Sequence, residues 1–448
     1  MVRDADVHDS GGIDRRGLLK AVGGTAVAAA LAGCSSLLEG DGEDGPGQAD
    51  GTVTDEPIEA GMLTFTRGAA GVLGIQAQRG AELAVQRIND VGGIAGRREI
   101  TLEVVDEGDS PLDSYNQFIE EGKDVTFGPI SSGTHAQIAP EVESNEVVNV
   151  GTDGTVTTLY EETVPDPTYS FRFQNYDVME CVTMAREAVA RLGADSIETV
   201  AGVNPGYTFG EDEMAVFTRA IQKLTGAEVV YEGFPELGAS DMSNHITSVN
   251  DEEPDVTFTS LWGGDVTTFL RQASANDMFD NTTVVGSILY SAAGDVPGDA
   301  IEGTELYSGS RNFYWDHPRT GNWQPGRELF EAAQDQDGVS IPNAHYMSGY
   351  GAVTAWATAV EKAIDLLGSY PSQEQIATVL EGHGFFTPAG YHVMAEDHQG
   401  MSNAVAGQMV YDEDLGGARL EDVNIYSPSE TAPSPGTTAS DWLDSWSG

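Results

Sequence analysis

The chain has 448 residues, of which 40% are hydrophobic and 54 are glycine, and its formal charge is −51, with four lysines among 21 basic residues. At about 150 residues per domain that length implies two or three folded units; the apolar content excludes a disordered chain, and the missing basic face excludes a general affinity for nucleic acid or anionic lipid. At molar salt the Debye length falls to roughly 3 Å and self-repulsion is screened, so this acidic, lysine-poor globular composition reads as adaptation to a salty medium.

The first forty residues read as an address. Asp14-Arg15-Arg16 and Lys20 precede a run of alanine, glycine and valine from Ala21 to Ala32. The run is too short for the ~20 residues of a membrane-spanning helix. A basic patch, a short apolar core and small residues before a cut site make a secretory signal. Arg15 and Arg16 ahead of that core look like the twin-arginine export type. Leu31-Ala32-Gly33-Cys34 resembles a lipobox, in which Cys34 would be lipidated and become the mature N-terminus. A chance Arg-Arg and a chance cysteine are the alternative, which their fixed order around one apolar run disfavours. Residues 1–33 are thus expected to be removed, leaving the net charge unchanged because they hold four basic and four acidic side chains. Residues 34–60 are acidic, glycine-rich and without periodicity, and read as a flexible tether. The other cysteine, Cys181, lies in a helical pattern and reads as a small buried hydrophobe. A Cys34–Cys181 bridge is disfavoured if Cys34 carries lipid.

From Met62 strand and helix alternate. Leu63-Thr64-Phe65 reads as a strand leading into a glycine-rich loop, Gly68 to Gly74, and Ala77, Ala81, Ala84 and Ile88 mark one helical face. Ile100, Leu102 and Val104 alternate as a strand; 112–122 is a helix, 125–127 a strand, 134–144 a helix and 147–150 a strand. After Tyr169 to Phe173 the cycle restarts, with helices at 178–192, 211–225, 241–250 and 266–276 between strands at 197–203, 228–233, 256–260 and 283–287. Such alternation predicts an α/β fold of two doubly wound parallel-sheet lobes. A long helical pattern at 345–367 is expected to return to the first lobe, which then comprises 61–174 plus about 311–368. The second comprises 175–310 plus about 369–426, and 427–448 is a Ser/Pro/Thr-rich, loosely ordered tail that holds Trp442 and Trp446.

Open α/β sheets bind ligands at the carboxyl ends of their strands. That rule selects Gly68 to Gly74, Gly128 to Thr134, Gly151 to Thr155, and in the second lobe Asn204 to Tyr207 with Leu261 to Gly264. Ser131 and Ser132 stand at the start of a helix, where free N–H groups favour an anion, although a serine there can be only a cap. Thr152, Asp153 and Thr155 can likewise be turn residues. Asp153 in a cleft can instead hold an ammonium or amide N–H. Tyr207 and Trp262 offer aromatic faces to close over a small ligand, with core packing as the alternative. No nucleophile elbow, zinc-protease motif or Walker loop occurs, so no catalytic residue, metal or cofactor is expected. His383, His392 and His398 lack ligand spacing and read as surface or turn residues, and Asp397-His398-Gln399 as a β-turn.

With these residues in place, the chain from about Leu63 to Val410 resembles the Leu/Ile/Val-type solute receptors of ATP-binding-cassette importers. The resemblance rests on Arg79 to Val85 with Ile88-Asn89, Gly92-Gly93-Ile94 and Gly96-Arg97, on Gly128 to Gly133, and on Phe269 to Ala273. It implies the periplasmic-binding-protein type I fold, two lobes joined by three crossovers and closing on ligand like a hinge. It implies that Ser132 and the backbone near Ser131 hold a ligand carboxylate, that Gly151 and Asp153 line the same side, and that Tyr207 and Trp262 face them. The acidic residue that holds the α-ammonium in the amino-acid binders should fall near Ile288, which is apolar. Either the ammonium is held differently, or the ligand is an amide, urea or organic acid. The implied function is that of a lipid-anchored extracellular receptor, not an enzyme, which delivers a small polar solute to a permease and its ATPase. A sensory receptor of the same fold and a secreted hydrolase are the alternatives.

Overall fold

The computed structural model describes residues 54–448 except 69, 109 and 317–322. The expected export segment with Arg15 and Arg16, the anchor Cys34 and most of the tether lie outside them.

Five parallel strands form the first sheet in the order β2-β1-β3-β4-β5: β1 Ile58–Thr64, β2 Ile100–Asp106, β3 Val125–Phe127, β4 Asn149–Gly151 and β5 Ser170–Arg172. The tether therefore gives way to a buried strand at Ile58, three residues before the expected boundary. Between these strands run α1 Gly71–Asp90, α2 Pro111–Glu120 and α3 Ser132–Asn145. The second lobe repeats the plan with α4 Asp177–Leu192, β6 Thr199–Val203, α5 Thr208–Thr225, β7 Glu228–Gly233, α6 Ser243–Glu252, β8 Val256–Thr259, α7 Gly264–Ala275, β9 Thr283–Gly286 and β10 Leu306–Gly309. Its parallel strands lie in the order β7-β6-β8-β9-β10, the same winding as the first sheet. In both, neighbouring connections leave in opposite directions from the first strand of the unit, and this switch point opens a crevice at the carboxyl ends.

After β10 the chain returns to the first lobe through α8 Gln324–Gln334 and α9 Ala344–Leu367. Helix α9 crosses α1 closely, and two glycines permit it. A Cβ at Gly80 would overlap the Tyr346 carbonyl oxygen, and one at Gly349 would overlap that of Ala77. Ala77, Ala81, Met347 and Val353 from these helices share one buried cluster with Met62, Phe127 and Val150 of the sheet. Tyr115, Phe118, Ile138 and Val142 close its other face.

Three segments depart from expectation. Residues beyond 369 do not go straight to the second lobe. Helix α10 Gln373–Leu380 and the small antiparallel sheet β11 Gly384–Thr387, β12 Gly390–Met394, β13 Gly400–Met401 stay on the first, because Leu380, Phe385 and Met394 complete its core. The chain returns only with β14 Ala404–Asp412 and β15 Gly417–Tyr426, which extend the second sheet antiparallel beside β10. The three histidines are buried, not surface residues: His398 stacks on Phe171 at 3.9 Å and His392 on Phe173 at 4.9 Å. The turn at Asp397 is as expected, with the His398 N–H donating to the Ala395 carbonyl at 3.0 Å. The tail carries a helix, α11 Ala439–Ser445, whose Leu443 is buried against Val182 and Phe217 of α4 and α5. Trp442 and Trp446 pack there too, with Arg219 bound to Asp444 at 2.6 Å. Cys181 is buried with a free thiol. No helix among the described residues is long and apolar enough to cross a membrane.

Candidate functional site

A cavity of about 160 Å³ opens where the strand ends of both sheets face one another. On the first lobe its wall is Phe65 after β1, Ile130, Ser131 and Ser132 after β3, and Asp153 and Thr155 after β4, with Leu73 from α1. The second lobe contributes Tyr207 and Phe209 after β6, Leu237 after β7, Trp262 after β8, Ile288 after β9 and Arg311 after β10. His345 enters from the first turn of α9.

The polar wall is set by the turn between β3 and α3. Gly128 has φ +84° and a Cβ there would overlap the Leu63 carbonyl oxygen, so only glycine brings the chain this close to β1. Ser131 caps α3, its Oγ accepting the Thr134 N–H at 3.3 Å. The buried Glu107 carboxylate accepts the N–H groups of Ile130 and Ser131, both at 2.8 Å. Burial pushes the Glu107 carboxyl up to about 7, those hydrogen bonds offsetting only part of the cost. What remains for a ligand is the Ser132 N–H at the positive end of the helix, with the hydroxyls of Ser132 and Thr155. The two residues are 6% and 1% exposed, and neither hydroxyl is bonded to another described residue.

The facing wall is aromatic. Trp262 Nε1–H donates to the Tyr207 hydroxyl at 3.0 Å, which leaves the tyrosine's own proton free to donate. Tyr207 and Phe209 lie with ring centroids 6.0 Å apart at 32°. Gly263, with φ +56°, lets the chain turn from Trp262 directly into α7. Asn204 ties the ends of β6 and β8 together by accepting the N–H and hydroxyl of Ser260 at 2.8 and 2.9 Å.

Between the walls lies a buried ionic chain. Arg311 Nη1 donates to both oxygens of Asp153 at 2.6 Å, and Arg311 Nε lies 2.8 Å from Glu180 Oε1. His345 Nε2 stands 3.1 Å from Asp153 Oδ2. Burial opposes the charge on Asp153, but Arg311 and His345 outweigh it and hold the carboxyl at about 2. Burial also lowers His345, so the neutral ring donates its Nε2–H to Asp153. Burial pushes Glu180 up to about 7 against the pull of Arg311. The arginine itself is disfavoured by burial, yet Asp153 and Glu180 raise it above its ordinary value. Arg311 adopts φ +45°, a left-handed conformation that costs on the order of 1–3 kcal/mol and is sustained here by its partners. Behind it, carboxyl oxygens of Asp177, Glu180 and Glu213 come within 4.8 Å of one another. Oxygen donors at that spacing can hold a hard cation. Burial and mutual repulsion push Asp177 and Glu213 well above the carboxylate range, which makes their uncharged forms the alternative.

Seven of the residues singled out in the sequence meet at this cavity: Ser131, Ser132, Asp153, Thr155, Tyr207, Trp262 and Ile288. Gly151 and Thr152 do not reach it. A Cβ at Gly151 would overlap the His135 ring, and Thr152 Oγ1 donates to the Pro129 carbonyl at 3.1 Å, so both serve the wall from behind. Asp153 is not a free acid awaiting an ammonium, because Arg311 consumes its charge. Arg311 and His345 escaped the sequence reading, as did Phe209 and Leu237, whereas Leu73 falls within the selected Gly68 to Gly74 stretch. One signal for Arg311 was available: in a chain with 21 basic residues, this one follows a strand at its carboxyl end.

Residues 57–414 match the periplasmic binding protein family. The Leu/Ile/Val-binding protein BraC3 of Rhizobium johnstonii is 24% identical over 341 residues, covering 72% of this chain and 83% of that protein. The Leu/Ile/Val-binding protein homolog 1 of Brucella melitensis is 25% identical over 329 residues, covering 72% and 82%. Among solved structures, a solute binding protein of an ABC transporter from Rhodopseudomonas palustris, in complex with 3,4-dihydroxy benzoic acid, superposes with a TM-score of 0.72 at 17% identity over 86% of this chain and 99% of that one. A leucine binding protein from Thermotoga maritima gives 0.67 at 18% identity over 83% and 99%. These relatives and neighbours carry the names of binding proteins for small solutes. Two doubly wound lobes, their facing strand ends and the match over most of the chain agree: this protein belongs to the periplasmic binding protein family.

Proposed function

We propose that this chain is the receptor subunit of an ATP-binding-cassette importer, held on the outer face of the cell membrane by a lipid on Cys34 after twin-arginine export. It captures one small solute in the cavity and hands it to a permease driven by a separate ATPase. The observation that carries this reading is the cavity itself, donor-lined on one lobe and aromatic on the other. A solute touching both walls favours the arrangement in which they are close, so binding shifts the population of lobe positions that a permease can recognise. The named solutes of the relatives, leucine, isoleucine and valine, and the dihydroxybenzoic acid of the structural neighbour are all small carboxylic acids. They fit the donor groups at Ser132 and Thr155. The net charge of −51 supports work in concentrated salt.

The test is a thermal-shift screen at molar salt with amino acids, short amides, urea and carboxylates. A true solute at 100 times its Kd stabilises the fold by about 2.7 kcal/mol. Absence of any shift across the panel would contradict solute capture. Replacing Cys34 by serine should release the protein into the medium, and continued membrane retention would contradict the anchor.

A further inference from the structure

The charges around the cavity bear on which solute it takes, given the receptor reading above. An α-amino acid brings an ammonium that must find acceptors or a counter-charge once water is excluded, and a buried unpaired cation is strongly disfavoured. Asp153 is the one carboxylate in the cavity wall, and both of its oxygens are already engaged by Arg311 at 2.6 Å, one of them also by His345 at 3.1 Å. Position 288, on the opposite lobe, is a buried isoleucine. The vacant polar groups at the other wall are the Ser132 N–H, a donor only, and the hydroxyls of Ser132 and Thr155, which donate to a carboxylate and carry no charge to offset an ammonium. Amide and hydroxyl donors at a helix N-terminus match a carboxylate, whose charge strengthens each hydrogen bond.

Size and lining fix the rest. Phe65, Ile130, Phe209 and Ile288 give the cavity an apolar body, and its volume of about 160 Å³ is close to the ~150 Å³ of an apolar cavity that holds one benzene. Tyr207 and Phe209, 6.0 Å apart and tilted by 32°, with Trp262 bound to the Tyr207 hydroxyl, give an aromatic wall on which a ring can pack. We infer that the solute is a compact aromatic monocarboxylate without an amino group, its carboxylate on Ser132 and Thr155 and its ring against Tyr207 and Trp262.

Calorimetric titration of the full chain at molar salt tests this with benzoate, 4-hydroxybenzoate, benzamide, L-leucine, L-phenylalanine and glycine betaine. The expected result is that both benzoates bind at least ten-fold more tightly than the two amino acids, benzamide and glycine betaine. Ser132→Ala and Thr155→Val should each weaken benzoate about ten-fold while leaving the melting temperature of the free protein unchanged, since neither hydroxyl has a partner in the fold. Leucine, phenylalanine or glycine betaine binding as tightly as benzoate overturns the absence of an ammonium, and benzamide doing so overturns the carboxylate. Binding of a different compound from the wider panel in place of the benzoates overturns the proposed class. In each of those cases the receptor reading stands. No binding by any compound overturns both.

Discussion

The two lobes share one winding and divide the chemistry between them. The strand ends of β3 and β4 present Ser131, Ser132, Asp153 and Thr155, hydroxyls beside the N-terminus of α3 and one carboxylate. The equivalent ends of β6, β7, β8 and β9 present Tyr207, Phe209, Leu237, Trp262 and Ile288. The backbone plan decides where a ligand sits, whereas the loop residues decide what it is, as expected when function is carried by sites on a recurrent fold. Arg311 breaks the division. It leaves the second sheet after β10 and spends its charge on Asp153 of the first, so the polar lobe keeps hydrogen-bond donors without a free acid.

The largest effect should come from breaking that link. Asp153→Ala leaves Arg311 buried beside Glu180 alone, and losing one partner of a buried pair costs about 3–5 kcal/mol. Chemical denaturation at molar salt measures it; a loss under 1 kcal/mol would mean that the pair does not hold the lobes as described.

A pH titration next separates the buried carboxyls behind the cavity wall. The Glu107 carboxyl, at about 7 when folded against 4.5 ordinarily, binds its proton more tightly in the native state. Stability therefore falls as pH rises from about 4.5 to 7, by on the order of 3 kcal/mol for a shift of that size. Glu180 acts in the same direction. Asp153 acts oppositely: depressed from 3.8 to about 2, it contributes stability above that range, which is lost only as pH falls through about 2. Melting temperatures at molar salt, where surface repulsion is screened, should peak near pH 4, between the ordinary values of 3.8 and 4.5 for these groups. Glu107→Gln should flatten the fall toward neutrality, and an unchanged slope would contradict the assignment. On the aromatic lobe, Tyr207→Phe removes only the hydroxyl that receives the Trp262 N–H, a loss of about 1 kcal/mol. A denaturation midpoint equal to that of the native chain would show that this hydrogen bond does not position the indole.

The sequence made the lobes legible because strand and helix differ in period, and Val, Ile and Phe runs of β-strand length alternate with amphipathic helices from Met62 to Gly286. The strand-end rule then found both serines, Asp153, Thr155, Tyr207 and Trp262, and the family resemblance pointed to Ile288. What remained hidden depends on contacts distant in the chain. Arg311 meets Asp153 across 158 residues, and nothing local marks either as the other's partner. Gly151 and Thr152 share the loop of Asp153, yet their contacts with His135 and Pro129 turn them from the cavity. The buried histidines, the hairpin of β11 and β12 and the docked helix α11 were missed for a related reason. Each is short and without a clear period by itself, and is held by Phe171, Phe173, Phe385 or the α4 and α5 faces.

The claim on which the rest depends is that one solute touches both lobes at once. The most direct test measures the affinity of the solute identified by the screen for Ser132→Ala and Trp262→Ala, one variant from each lobe, with the fold of each checked by its far-ultraviolet dichroism. The account predicts that each variant loses about ten-fold or more in affinity, a group worth ~1.4 kcal/mol being enough, while remaining folded. Native affinity in both variants would contradict it and place the solute elsewhere.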